Sequence, residues 1–213
     1  MNPGKFITFE GPEGAGKTTH ARKLVARLEA LGRPVLYTRE PGGTRTGEAI
    51  RDILQHDKAG EPLFDEAEVL LFSASRAQLV RQVILPALAR GATVISDRFA
   101  DSTTAYQGCG RELGIENMLA INAFAIGAAV PDLTILLDLD VRIGFQRLTQ
   151  RNAATGTERD RIERETLEFH ERVRSGYHEL VRRFPQRFKV LNADRDAETV
   201  DAEIWSLVRD VIC

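Results

Sequence analysis

Between a short apolar run at Phe6–Glu10 and a helically spaced segment from Lys17 onward, the chain carries Gly11, Pro12, Glu13, Gly14, Ala15, Gly16, Lys17 and Thr18 in succession. This is the pattern GxxxxGK[ST], and it leaves little freedom of architecture. It has chemical meaning only as the turn from a strand into a helix, where successive backbone N–H groups converge on an anion. A triphosphate concentrates negative charge, and main-chain donors bind it without side-chain bulk. Gly11, Gly14 and Gly16 permit the backbone conformations that turn those donors inward. The helix starting at Lys17 adds the positive end of its dipole. Lys17 brings a point charge to the β- and γ-phosphates, and the Thr18 hydroxyl can ligate Mg²⁺. Thr19 continues the first helical turn. The context is right on both sides, so the loop is read as a nucleoside triphosphate site.

The rest of the chain alternates strand and helix. Strand character recurs at residues 35–38, 93–96, 133–139 and 188–191. Helical spacing recurs at 17–31, 48–54, 65–85, 117–129, 141–151, 161–184 and 197–211, with Pro86 breaking or kinking the third of these. Residues 152–157 are small and polar and read as a mobile loop. Five strands alternating with helices predict an α/β protein, a parallel sheet with helices on both faces. No repeat, linker or low-complexity stretch divides the chain, so residues 1–213 are expected to form one domain. Lys and Arg number 29 against 31 Asp and Glu, a net charge of −2. That balance argues against a general nucleic-acid binder, which needs a basic face. No apolar run approaches 18 residues and none resembles a signal peptide, so neither a membrane span nor export is expected. Cys109 and Cys213 fit no zinc or CxxC spacing and are expected to be reduced thiols in the cytoplasm.

Four further clusters carry chemistry. Asp97 and Arg98 end the third strand, where parallel sheets present ligands; an acid there can hold Mg²⁺ through water and an arginine can grip a phosphate bidentately. Arg39 and Glu40 precede Pro41, Gly42, Gly43 and Thr44, either an anion-binding turn or an ordinary Pro-Gly turn. Phe72 and Arg76, four apart on a helix, share one face. A base could stack on Phe72 while Arg76 bonds its edge, although an aromatic on an apolar helix face is more often core. Arg147, Arg151, Arg159, Arg161 and Arg164 surround the small-residue loop. Arginines closing over a transferred phosphoryl group stabilise its developing charge, whereas charge runs on helices are usually solvated. The chain lacks DxxG after the third strand, a guanine-reading NKxD and an LSGGQ signature, which argues against a small GTPase or a transporter ATPase.

Taken together, GPEGAGKTT at 11–19, TREPGGT at 38–44, AEVLLFSASRAQLV at 67–80, SDRFADSTTAYQG at 96–108, PDLTILLDL at 131–139 and RDRIERE at 159–165 resemble the thymidylate kinases of the bacterial type. The resemblance covers essentially the whole length. It implies a P-loop NTPase fold with a short arginine-rich lid at about 150–162. It implies phosphorylation of dTMP to dTDP with ATP and Mg²⁺, supplying dTTP for DNA synthesis, by a cytoplasmic homodimer. By the same resemblance Phe72 would stack on thymine and Arg76 would bond its O4 edge. Arg39 and Arg98 would hold the dTMP phosphate with Glu40 nearby, and Glu13 would contact the acceptor sugar. Tyr106 would sit under that sugar, Gln107 would reach the base edge, and Ser102 and Thr103 would line the same segment. Thr18 and Asp97 would serve the metal. Some members place a catalytic arginine inside the phosphate loop. Pro12, Glu13, Gly14 and Ala15 include none, so the charge is expected from the lid, with Arg161 first and Arg151 second. A cis peptide bond before Pro41 is also implied. A kinase for another monophosphate or small metabolite, and a regulatory protein that binds ATP without transfer, remain as alternatives. Phe72, Arg76 and Gln107 favour a pyrimidine, and Lys17, Thr18, Asp97 and the arginines favour transfer.

Overall fold

The computed structural model describes residues 4–56, 61–156 and 158–212. Met1, Asn2 and Pro3, Thr157 of the expected loop and the Cys213 thiol lie outside the described residues; Cys109 is a half-buried free thiol. Five strands, β1 (Phe6–Glu10), β2 (Val35–Arg39), β3 (Thr93–Asp97), β4 (Leu133–Asp138) and β5 (Phe188–Asn192), form one sheet in the order β2-β3-β1-β4-β5. All four pairings are parallel.

Side-chain alternation along β1 decides what each face meets. Ile7 and Phe9 pack with Leu24 and Leu28 of α1 (Lys17–Ala30) and with Val200, Ile204 and Val208 of α9 (Ala197–Ile212). Phe6, on the opposite face, joins Leu79, Val80, Ile84, Val94 and Phe99. A third apolar cluster sets Tyr106 and Leu136 against Phe169, Val173, Tyr177 and Leu180 of α8 (Leu167–Arg183). The remaining helices are α2 (Arg45–Gln55), α3 (Asp65–Leu79), α4 (Leu85–Ala89), α5 (Ala100–Thr103), α6 (Ile115–Ile126) and α7 (Val141–Thr155). β1 and β3 end side by side in the middle of the sheet, so the loops after them, with the one after β2, build a common floor.

Four local expectations are corrected. Of the two readings of Pro86, the break does not hold: a wide π-helical turn at Val80–Ile84 precedes it, and Pro86 sits in the first turn of α4, where its missing N–H is harmless. Residues 152–155 are helical rather than loop. Ala153 and Ala154 favour helix, and α7 ends only at Gly156, in the left-handed conformation with φ 67°. Residues 161–166 are turns rather than helix, because Asp160 accepts from the Glu163 N–H at 2.8 Å and Thr166 starts α8 by capping the Phe169 N–H. The segment after β3 is helical through α5 and a π-helical stretch, Thr104–Gly110, where apolar periodicity is too weak to mark a helix.

Candidate active site

The loop after β1 needs its glycines for two different reasons. Gly11 has φ 140°, and a Cβ there would lie 2.3 Å from the Leu137 carbonyl oxygen. Gly14 has φ 72° and packs against the backbone of Gly144 on α7, where a Cβ would meet the carbonyl at 2.4 Å. The loop is thus pressed between β4 and α7, with its far side facing a cavity of about 810 Å³. Lys17 folds back over the loop and donates to the carbonyls of Gly11 at 3.0 Å and Pro12 at 2.7 Å. Burial, and then the nearby Arg98 charge, bring its ammonium down to about 8. Thr18 donates to the Asp97 carboxylate, which ties the first turn of α1 to the end of β3.

Arg98 follows Asp97 with φ 68°, a left-handed conformation that a non-glycine residue adopts at a cost of about 1–3 kcal/mol. Hydrogen bonds over-determine it. Its N–H donates to the Phe9 carbonyl at 2.9 Å, and the next N–H, of Phe99, donates to Glu10 at 2.8 Å. The side chain then reaches across the floor. Nη2 lies 2.5 Å from Glu13 and 3.1 Å from the Tyr106 hydroxyl, and Nη1 lies 3.2 Å from Ser102 Oγ. Tyr106 also donates to Glu13 at 2.9 Å. Burial alone would raise the Glu13 carboxyl, but Arg98 and Lys17 outweigh it and hold the group at about 2.

Opposite this cluster, the peptide bond between Glu40 and Pro41 is cis, as the resemblance implies. Glu40 is buried, and its carboxylate accepts from Arg76 Nε at 2.8 Å. Arg76 is itself 1% exposed; it also donates to Asn122 at 2.7 Å and Thr103 at 2.9 Å, so most of its guanidinium is committed to protein. Phe72, half-buried, lines the cavity beside Arg76. Arg39 lies at the cavity edge, with Nη2 3.0 Å from Glu48. Gln107 lines the base of this half and donates to Glu68 at 2.6 Å.

The structure therefore brings Glu13, Gly14, Gly16, Lys17, Thr18, Thr19, Arg39, Glu40, Phe72, Arg76, Asp97, Arg98, Ser102, Thr103, Tyr106, Gln107 and Arg151 around one cavity. Gly11, Pro12 and Ala15 are buried behind it. The two lid arginines separate. Arg151, on α7, lines the cavity and pairs with Glu163 at 2.9 Å. Arg161, expected first, is not part of the cavity wall: Nε donates to the Leu54 carbonyl at 3.1 Å and Nη2 lies 2.5 Å from Glu68. Arg159 donates to Thr149 at 2.9 Å and stacks over Phe145.

Sequence reasoning missed several participants. Arg51 lines the cavity and bonds the Pro41 carbonyl at 3.0 Å; as one charge on an exposed-looking helix it carried no signal. Glu10 reads as a strand end and Glu68 as one acid among three, and only the tertiary structure shows both fully buried.

A family model described as Thymidylate kinase matches residues 9–204. Among curated relatives, a thymidylate kinase of Deinococcus radiodurans is 50% identical over 99% of this chain and 98% of its own length. Another, of Pelotomaculum thermopropionicum, is 50% identical over 98% of this chain and 94% of its own. A crystal structure of thymidylate kinase from Ehrlichia chaffeensis superposes with a TM-score of 0.77 at 32% identity, covering 97% of this chain and 99% of that one. On these matches, with the loop, the strand order and the cavity already described, the chain belongs to the thymidylate kinase family.

Proposed function

We propose that the cavity transfers the γ-phosphoryl group of ATP to the phosphate of dTMP, giving dTDP and ADP, and that the chain is a dTMP kinase. The single observation that carries this reading is the convergence of the phosphate loop with Arg98, Phe72 and Gln107 on one cavity. The phosphate loop lines one part of it, and Phe72, Arg76 and Gln107 line another. Phosphoryl transfer asks a protein mainly for positioning and for charge that matches the spread-out transition state. The loop N–H groups and Lys17 hold the β- and γ-phosphates. Arg98 holds the acceptor phosphate with Arg39, while Glu13 and Tyr106 set the sugar. Phe72 stacks on the base, and Arg76 and Gln107 read its edge with Thr103 and Ser102 as neighbours. Arg151, at the wall, supplies charge to the group in flight.

Thr18 and Asp97 put a hydroxyl and a carboxylate oxygen together at the foot of the loop. Magnesium uses one or two carboxylates, waters and substrate phosphates rather than a dedicated cage, so this oxygen pair fits it. When bound, the ion neutralises charge on the β- and γ-phosphates. Each residue's own part is simpler: Thr18 and Asp97 hold oxygen ligands in place, and Lys17 keeps its charge on the phosphates.

A cytoplasmic homodimer completes the reading, as the resemblance implies. Leu70 of α3 and Phe124 of the adjacent α6 are 61% and 84% exposed, apolar side chains that a second copy would cover. Light scattering on the purified chain should give twice the monomer mass. The test of the chemistry is product analysis: with ATP, Mg²⁺ and dTMP, dTDP and ADP should accumulate in equal amounts. ADP without dTDP overturns the reading.

A further inference from the structure

Glu68 lies on α3 outside the set of groups that bind phosphate, yet it is 0% exposed. Its Oε2 faces two cations, Arg161 Nη2 at 2.5 Å and Arg111 Nη2 at 3.3 Å. Its Oε1 accepts from Gln107 Nε2 at 2.6 Å. Gln107 is 1% exposed and lines the cavity, and among the described residues no donor reaches its Oε1. Arg111 is held from the other side by Glu165 at 2.6 Å and Asp65 at 3.3 Å, so the carboxylate it serves cannot easily move.

The chemistry of a primary amide gives this arrangement a consequence. An amide is ambidextrous: turned one way it presents an acceptor at a given point, turned over it presents a donor there. Thymine carries N3–H beside the acceptor O4, while cytosine carries an acceptor N3 beside an amino donor. A free glutamine could serve either by turning over. A carboxylate between two guanidinium groups only accepts, so Gln107 must keep its NH₂ toward Glu68 and its Oε1 toward the other side. We propose that Glu68 is a positioning residue that locks the amide of Gln107 as an acceptor facing the base, and so selects pyrimidines that carry N3–H. This rests on the dTMP reading of the cavity. It also assigns Arg161 a part away from the transferred phosphate, as one of the two cations that fix Glu68. Discrimination here works against the wrong base: cytosine N3 would face the oxygen of an amide that cannot turn.

The test is kcat/KM for dTMP, dUMP and dCMP with the wild type, Glu68→Gln, Gln107→Ala and the double variant. Glu68→Gln replaces the fixed acceptor with a group that can pair with either face of the amide. The dTMP to dCMP ratio should fall by about five- to hundredfold, the range for one lost discriminating bond. The dTMP to dUMP ratio should stay put, because both bases carry N3–H. In the Gln107→Ala background the same change at Glu68 should leave the dTMP to dCMP ratio unaltered. An unchanged dTMP to dCMP ratio, both ratios falling together, or an effect that persists without Gln107 overturns the proposal. A wild type that prefers dCMP overturns the substrate reading as well, and is recognised without any variant. If Glu68→Gln does not fold, side-chain amide NMR on the wild type decides. The Gln107 NH₂ should remain bonded to the carboxylate when dTMP or dCMP is added; an amide that turns over with dCMP contradicts the lock.

Discussion

Arg98 Nη2 and Glu13 Oε1 meet at 2.5 Å, joining the turn after β3 to the phosphate loop and placing a half-buried cation and a half-buried anion in the cavity floor. Each holds the other in its charged form, with the Glu13 carboxyl at about 2. A carboxyl whose folded value is depressed contributes stability above its unfolded value, and that contribution is lost as pH falls toward the folded one. Arg98→Ala should therefore lower the melting temperature clearly at pH 7 and much less at pH 3. It should also raise KM for dTMP by about 10–100-fold with a smaller change for ATP, as expected when a charge-assisted hydrogen bond to the acceptor phosphate is removed. Steady-state kinetics and thermal melts at the two pH values check both. Equal destabilisation at both pH values would contradict the electrostatic role.

Arg151 faces the cavity and Arg161 faces Glu68, so their variants should fail differently. Arg151→Ala should lower kcat by about tenfold or more with little change in KM for ATP, as expected for an interaction made mainly in the transition state. Arg151→Lys should restore only part of it, since the planar fork is lost. Arg161→Ala should change base selectivity more than kcat. If Arg161→Ala gives the larger loss of kcat at unchanged base selectivity, the two arginines exchange roles in the working state.

Burying Arg76 against Glu40 makes that pair sensitive to single removal. Arg76→Ala leaves a buried carboxylate, already raised by burial despite Arg76, without its counter-charge. The expected loss is about 3–5 kcal/mol, which is roughly 6–20 °C in melting temperature for a chain of this size. Replacing both partners, Arg76→Met with Glu40→Gln, should recover much of the loss. Calorimetry on the single and double variants distinguishes this from a residue that serves the base alone.

The phosphate loop was fully legible because its chemistry dictates residue types at fixed spacing; Gly11 through Thr18 fall where the sequence puts them. So were the five strands, to within one or two residues at each end. The strand order was not, since β1 pairing with both β3 and β4 is a long-range fact that no local pattern encodes. Asp97, Arg98 and Tyr106 were legible as motif members, but the left-handed turn at Arg98 was not, because hydrogen bonds donated to Phe9 and Glu10 impose it. Arg161 could not be placed from sequence at all. Its direction depends on Glu68, more than ninety positions away, and on the turn that Asp160 and Thr166 create at either side.

Glu10 gives an opposite pH signature to Glu13. Buried beneath Arg98, it accepts from Phe99 N–H, Ser102 and Tyr177, and burial together with Asp101 raises its carboxyl to about 7. A folded value above the unfolded one of 4.5 means its contribution is fully present below about 4.5 and lost as pH rises through about 7. Glu10→Gln removes the ionisation. Its melting temperature relative to wild type should be more favourable at pH 8 than at pH 5, by roughly 5 °C. A difference independent of pH would show that Glu10 does not titrate in the folded protein.

Transfer of a phosphoryl group from ATP to dTMP in the cavity that Lys17 and Arg98 share is tested most directly by the rate of ADP release across a panel of acceptors: dTMP, dUMP, dCMP, dAMP, dGMP, AMP and no acceptor. The highest kcat/KM is predicted for dTMP, with negligible release when no acceptor is present. In a folded Lys17→Ala variant, dTMP-dependent release should fall by several orders of magnitude. A purine monophosphate turned over faster than dTMP, or release that does not depend on an acceptor, would contradict the transfer.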